Sequence, residues 1–539
     1  MLAKRFLQSL LAGVTALALA GCSGIYHQQQ LIRIGAESAP GVTARTATSA
    51  GPRTHAIFFD GTANDAESST NVKRLHSLVS LQDKPHLSTL YVEGVGVGND
   101  AFGAGLGLGA QNRVVLAYNF LLNNYQAGDQ VYIFGFSRGA YQARVLASML
   151  QYVGLPDKPP QLTVAKGVTP RTFSEQVQYV SAMYDEMREA FLHRRYPCTI
   201  ARVRGGLNSD GSTAYQSRPV AVLGLWDTVG ALGGGVSGWP ARLLHKGDIR
   251  ALHVDIDEPN QRYGDQLHNV ENVLHAVSLD DNREWIFTPL LVTRQHLLSN
   301  KRLPRRSDPL AKIHDNCPEG TPDAVAPSDL QGQPKLIEEI WFPGAHSDVG
   351  GGYVGSDLSG LSLNWMVTML NHVEAGIEAK QRLLPADTRV RQDAYGSSHD
   401  PESAMSAIYH RMNRNLAAYA LGQAKACSLA GDPSACGDAG VHEPMAQFAG
   451  QLCMHPSVAE RRVAMPPRPN ENRYLDLRRT GTFCVAPDKE LANPPILREV
   501  AFSAGSGETG DFRCPVGSAA IQVREWDASS KTCKDPSAK

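Results

Sequence analysis

Three residues set at the ends of apolar runs could together carry out acyl transfer: Ser137, Asp227 and His346. A serine hydroxyl is a weak nucleophile near neutral pH, so it needs a base to take its proton and an acid to orient that base. Ser137 stands in Gly135-Phe136-Ser137-Arg138-Gly139, a GxSxG frame whose small flanks suit a sharp, crowded turn. Asp227 closes the run Leu225-Trp226 and leads into Thr228-Val229-Gly230, the place where a sheet presents an orienting carboxylate. Taken alone it could equally cap the next turn. His346 lies between Phe342-Pro343-Gly344-Ala345 and Ser347-Asp348-Val349-Gly350-Gly351-Gly352, a glycine-rich loop with little bulk from which an imidazole can reach a serine. The rival base, His275, sits inside the strand-like run Leu274 to Leu279 and reads as a core residue. The oxyanion of such a reaction needs two preorganised donors. The backbone N–H of Arg138 is one; Gly61 or Thr62, in Asp60-Gly61-Thr62-Ala63-Asn64-Asp65, is the other. That loop has two further readings, a turn tied by Asp60 and Asn64 or a metal loop of oxygen ligands, although its spacing matches no known calcium loop. No metal and no cofactor is expected.

The elements that must position these residues follow from the hydrophobic pattern. Short apolar runs at His55–Phe59, Thr89–Val92, Gln130–Phe134, Val220–Leu225, Val273–Leu279 and Leu336–Phe342 predict buried strands, the last expected to close the core. Helical spacing is found over Ser69–Leu81, Gln111–Tyr125, Arg138–Tyr152, Phe173–Leu192, Leu361–Glu378 and Glu402–Ala426. Strands alternating with helices imply a mostly parallel sheet covered on both faces. The chain order Ser137, Asp227, His346 is the Ser…Asp…His order of α/β-hydrolases, so the expected fold class is α/β, α/β-hydrolase-like, with long insertions and a Cys-rich C-terminal region. The irregular stretches 154–172, 196–218, 233–266 and 300–334 are long enough to be lids or binding elements. The expected organisation is a signal at 1–22, a tether at 23–53, the catalytic domain at 54–399 and the Cys-rich region at 400–539.

The ends of the chain speak to location. Lys4 and Arg5 precede an apolar run from Phe6 to Ala20, an export signal too short for a comfortable membrane span. Leu19-Ala20-Gly21-Cys22 resembles a bacterial lipobox, in which Cys22 is acylated and becomes the mature N-terminus; Ser23 behind it favours the outer membrane. The other reading is an ordinary secretory signal. Nine cysteines less Cys22 leave eight, of which six follow residue 420, so an oxidising envelope compartment would allow disulfides there. No CxxC pair is present, which makes zinc a poor alternative. Lys+Arg number 52 against 53 Asp+Glu, a balance that gives no electrostatic reason to expect a nucleic-acid partner.

Five blocks occur in order: Phe59-Asp60-Gly61-Thr62 with Asn64; Gly135 to Ala140; Trp226-Asp227-Thr228-Val229-Gly230; His275-Ala276 with Arg283 and Pro289; and Phe342 to Gly351. Together, over about residues 54–380, they resemble the catalytic domain of the type VI secretion phospholipase effectors of the first Tle class. The resemblance implies an α/β-hydrolase core and a Ser-Asp-His triad, carried here onto Ser137, Asp227 and His346. It also implies lipid acyl esters as substrate. Effectors of that kind usually lack an export signal, so chemistry and fold are carried over and the toxin role is not. The expected function is that of a lipid-anchored serine esterase at an envelope membrane, attached through its N-terminal lipid, with protein partners open. The alternatives are an esterase for another envelope ester, such as an acetylated glycan, and a catalytically inactive binding lipoprotein.

Overall fold

The structure, a computed structural model, describes residues 51–62, 64, 69–94, 110–156, 184, 215–229, 267, 269–281, 283, 289, 336–355, 357–401, 414, 451–464, 482–485, 519–527 and 532–533. The signal and all of the tether before residue 51 lie outside the described residues. So do the expected helices Phe173–Leu192 and Glu402–Ala426, save Tyr184 and Arg414.

Period-2 burial builds a sheet with two covered faces. In β1 (Thr54–Phe59), Ile57 and Phe59 join one core cluster while Ala56 and Phe58 join another. The chain then runs through α1 (Asn71–Ser80), β2 (Leu87–Val92), α2 (Ala110–Asn124), β3 (Gln130–Phe136) and α3 (Arg138–Tyr152). After a two-residue pair, β4 (Leu155–Pro156) with β5 (Tyr215–Gln216), come β6 (Val222–Trp226), β7 (Asn272–Ser278) and β8 (Leu336–Phe342). A five-residue helix, α4 (His346–Gly350), and the long α5 (Asp357–Val373) follow. Helices α2 and α3 pack on the Ile57 face, α1 and α5 on the Phe58 face. This is the two-sided α/β cover expected from the alternation.

The strands run in the order β2-β1-β3-β6-β7-β8, all parallel. From β1 the chain goes first to β2 on one side and then to β3 on the other, so the strand order reverses between β1 and β3. In open parallel sheets, ligands bind outside the carboxyl ends of the strands at such a reversal. The loop Asp60-Gly61-Thr62 leaves β1 there, and Ser137 follows β3 at the same edge.

The sheet does not close at β8, contrary to the expectation from sequence. β9 (Gln451–Met454) lies parallel to β8, with Ile340 opposite Cys453. Beyond it are β11 (Ala519–Asp527), antiparallel to β9, β10 (Thr482–Val485), parallel to β11, and the hairpin partner β12 (Thr532–Cys533). Between β9 and β10 lies α6 (Pro456–Ala464). The region after residue 400 therefore supplies strands to the same sheet. An uncovered β8 edge would present unpaired backbone groups, and β9 takes up that edge.

Candidate active site

The elbow at Ser137 is built by strain and close packing. Ser137 has φ 59° and ψ −127°, a backbone conformation that costs a side-chain-bearing residue about 1–3 kcal/mol. Two hydrogen bonds hold it across the sheet: Ser137 N donates to Trp226 O at 3.0 Å, and Val229 N donates to Ser137 O at 3.3 Å. A Cβ on Gly139 would stand 2.4 Å from the carbonyl oxygens of both Phe59 and Asp60, so α3 can begin this close to β1 only with glycine there. Asp227 has φ 40°. Ser137 and Asp227 are two of the three non-glycine residues with positive φ among the described residues, so the strain is concentrated at this edge.

Strand register sets the acid and base beside the elbow. Phe136 pairs with Trp226, and Trp226 with Ala276, which places the residues after β3 and β6 next to each other. Asp227 N donates to Ala276 O at 2.7 Å. His346 Nδ1 lies 2.5 Å from Asp227 Oδ2, with both side chains buried. The His346 ring stacks at a tilt on that of Phe136, the residue before Ser137, with centroids 4.6 Å apart. Sequence reasoning placed His346 in a loop; the structure makes it the first residue of α4. Asp348 folds that turn by accepting from Ala345 N at 3.0 Å, and glycine brings it in, since a Cβ on Gly350 would stand 1.9 Å from the Phe136 ring. Asn71 at the start of α1 donates to Val349 O (2.9 Å), Ser359 O (2.8 Å) and Ser362 Oγ (3.0 Å), and so pins α4 to α5.

The electrostatics divide the pair. Burial lowers the His346 pKa below the ordinary imidazole value, against the opposing pull of Asp227. Burial would raise the Asp227 carboxyl. The Arg414 charge and the hydrogen bonds from His346 and Arg414 outweigh it and hold the group well below the usual carboxylate range. One buried acid stays ionised and one buried imidazole tends to neutral, the division of roles a general base needs.

The expected oxyanion residues are brought together in part. The Arg138 side chain donates to Thr62 Oγ1, tying the loop after β1 to the start of α3. The Gly61 N–H is given to Asp60 Oδ1 at 2.7 Å, which takes it out of the expected donor pair and leaves Thr62 as the loop's candidate. Asp60 also accepts from Thr70 Oγ1 and Tyr91 OH, both at 2.6 Å. Even so, burial raises its pKa to about 6. These bonds fit the reading of this loop as a side-chain-tied turn. His275, the rival base, is occupied elsewhere: its Nε2 accepts from Thr228 N at 3.1 Å and its Nδ1 lies 2.9 Å from Glu339 Oε2.

Residues 53–369 match the family model for the catalytic domain of Tle1-like type VI secretion system phospholipase effectors. The chain belongs to this family. Of the curated proteins, the uncharacterized protein YEL023C of Saccharomyces cerevisiae is 26% identical over 263 residues, which is 43% of this chain and 32% of that one. The chain thus spans about a third of that relative's length. Two solved structures resemble it at a TM-score of 0.26. One is an uncharacterized protein from Pseudomonas aeruginosa, with 17% identity, covering 69% of this chain and 50% of that one. The other is the Tle1 effector bound to the VgrG spike of the type 6 secretion system, with 18% identity, covering 58% and 56%.

Several residues of the Tle1-like site escaped sequence reasoning. Ser278, at the end of β7, donates to Asp227 through its backbone N–H (2.9 Å) and its hydroxyl (3.1 Å). Asp281, held by Arg283 at 2.7 Å, accepts from His346 N at 3.1 Å. Asp348 also pairs with His399 Nδ1 at 2.6 Å, and the His399 ring stacks on Tyr353. Arg414 reaches Asp227 from outside the family-matched residues. Arg283 and Asp348 carried a signal, through their places in the fourth and fifth blocks. A second Ser-His-Asp set shows how little residue types alone decide. At the opposite edge of the sheet, buried His55 lies 2.6 Å from Ser88 Oγ and 3.0 Å from Asp129 Oδ2, while Asp129 accepts from Arg53 N and Gln126 N. That set ties the starts of β1, β2 and β3.

Proposed function

We propose that this protein is a serine hydrolase that cleaves carboxylic esters, with phospholipid acyl esters as substrate, at the membrane to which its N-terminus is anchored through Cys22. The observation that carries this reading is the buried Asp227–His346 hydrogen bond at 2.5 Å beside the strained elbow of Ser137, within the region matched to a phospholipase effector family. Ser137 Oγ attacks the ester carbonyl while His346 takes its proton. The tetrahedral oxyanion is met by the backbone N–H groups of Arg138 and Thr62. Collapse expels the alcohol, which receives the proton from His346. Water, deprotonated by the same imidazole, then releases the acid and restores Ser137. Asp227 holds the ring and stabilises its cationic form. An envelope location agrees with the export signal and with Cys453, which is disulfide-bonded. Anchorage at a membrane would raise the effective concentration of a lipid substrate.

Ser137→Ala should abolish hydrolysis of short-chain esters and of phospholipid vesicles while leaving the fold intact by circular dichroism. Full activity in that variant would sink the reading. Lipid analysis of cells making active or Ser137→Ala protein then identifies the ester. Unchanged lysophospholipid pools, with hydrolysis of acetylated glycan, would move the substrate to the envelope glycan. No fluorophosphonate adduct at Ser137 would make the protein a binder.

A further inference from the structure

We infer that Arg414 is a positioning residue for the reaction: its guanidinium grips the Asp227 carboxylate and fixes it in the orientation that serves His346. The inference rests on the hydrolase reading above and adds a component from beyond the matched catalytic domain. Arg414 Nη1 donates to Asp227 Oδ1 and Nη2 to Asp227 Oδ2, both at 2.8 Å, and both side chains are fully buried. This is the two-pronged fit of a planar guanidinium on a planar carboxylate, and it sets the carboxylate plane as well as its position. Nη1 also donates to the Ser278 carbonyl and lies 2.5 Å from Ser278 Oγ, so the clamp is itself anchored on the end of β7. With Ser278 N on Oδ1 and with Ser278 Oγ and His346 Nδ1 on Oδ2, both Asp227 oxygens are held from several directions. The orienting acid has no room to turn away from the imidazole.

The clamp also sets charge. Asp227 strengthens the hold of His346 on a proton, and a cation fixed on the same carboxylate weakens that pull. The other charged groups bearing on His346 are Asp281 and Arg283 after β7 and Asp348, two residues along α4 and paired with His399. None of these bonds the Asp227 carboxylate. A buried ion pair is on its own weak evidence of a stabilising role, since apolar residues often serve the fold as well. Its placement on the carboxylate that bonds the His346 ring at Nδ1 is what points to the reaction.

The test uses the full chain with Arg414→Met and Arg414→Lys, assayed on short-chain esters and phospholipid vesicles, with turnover normalised to fluorophosphonate-titrated sites. Arg414→Met is expected to lower kcat about tenfold or more with KM changed less than about threefold. It should also move the acid limb of the kcat/KM profile up by about one pH unit, because Asp227 then faces His346 without its counter-charge. Arg414→Lys restores the charge but not the fork, so the limb should return toward the wild-type position while kcat stays reduced. Wild-type kcat per titrated site with an unmoved limb in Arg414→Met would overturn the inference. If the Met variant does not fold, Arg414→Lys decides: wild-type kcat there overturns the positioning role. A Ser137→Ala control separates the two readings. Loss of activity in that variant beside normal Arg414 variants fails the clamp alone, whereas activity retained in Ser137→Ala fails the hydrolase reading itself.

Discussion

His346 carries a prediction that belongs to single residues. Burial lowers its pKa, and an imidazole acts as a base only when neutral, so activity should persist below the ordinary imidazole value near 6.5. The acid limb of kcat/KM should have its midpoint under that value; a midpoint above it would show that the pull of Asp227 prevails over burial. Residue types were a partial guide at this scale. Ser137, Asp227 and His346 could be singled out because each closes or follows an apolar run. His55, Ser88 and Asp129 offer the same three types in hydrogen-bond contact, yet they lie at the start of their strands and bond inward. Position relative to the strand end, with the positive φ of Ser137 and Asp227, separates the two sets. Arg414 left no local trace, because it acts across 187 residues of chain and is one of 52 cationic side chains.

At the scale of elements, the close seat of α3 on the end of β1 makes Gly139 a critical position. Gly139→Ala drives a methyl group toward the Phe59 and Asp60 carbonyl oxygens and should destabilise the fold by about 1–3 kcal/mol, with loss of activity as the elbow shifts. Gly376→Ala is the matched control: nothing lies within 4 Å of its added Cβ, and its stability should change by less than about 0.5 kcal/mol. Urea melts of both decide the matter; equal midpoints would mean that α3 gives way easily. The strands that hold the site were legible because fully buried parallel strands read as short apolar runs that stop at turn residues. The helix α4 was not, since glycines that signal a loop by propensity serve here to bring a helical turn against Phe136 and Thr70. In that case close packing overrides propensity.

On the scale of the whole molecule, the sheet is one continuous structure that takes strands from both sides of residue 400. A chain ended after Asp400 would lack β9, which covers the edge of β8, and Arg414, which holds Asp227. It should accumulate as aggregate, and its soluble fraction should label poorly with fluorophosphonate; a soluble monomer labelled at the full rate would show that the chain up to Asp400 suffices. This joining of the late chain to the core was hidden from pattern reading, because β9, the strand that makes the join, has four residues and gives too little periodicity to count.

The same joining sets an order in time. The chain is made from its N-terminus, and Ser137, Asp227 and His346 all precede Arg414 and β9. At roughly 5–20 residues per second, several seconds of synthesis separate His346 from Arg414. Throughout that interval the nascent chain holds Ser137, Asp227 and His346, but not the guanidinium that grips Asp227 or the strand that covers the β8 edge. On the hydrolase reading proposed above, a chain assembled in this order completes its site only when Arg414 and the last strands arrive.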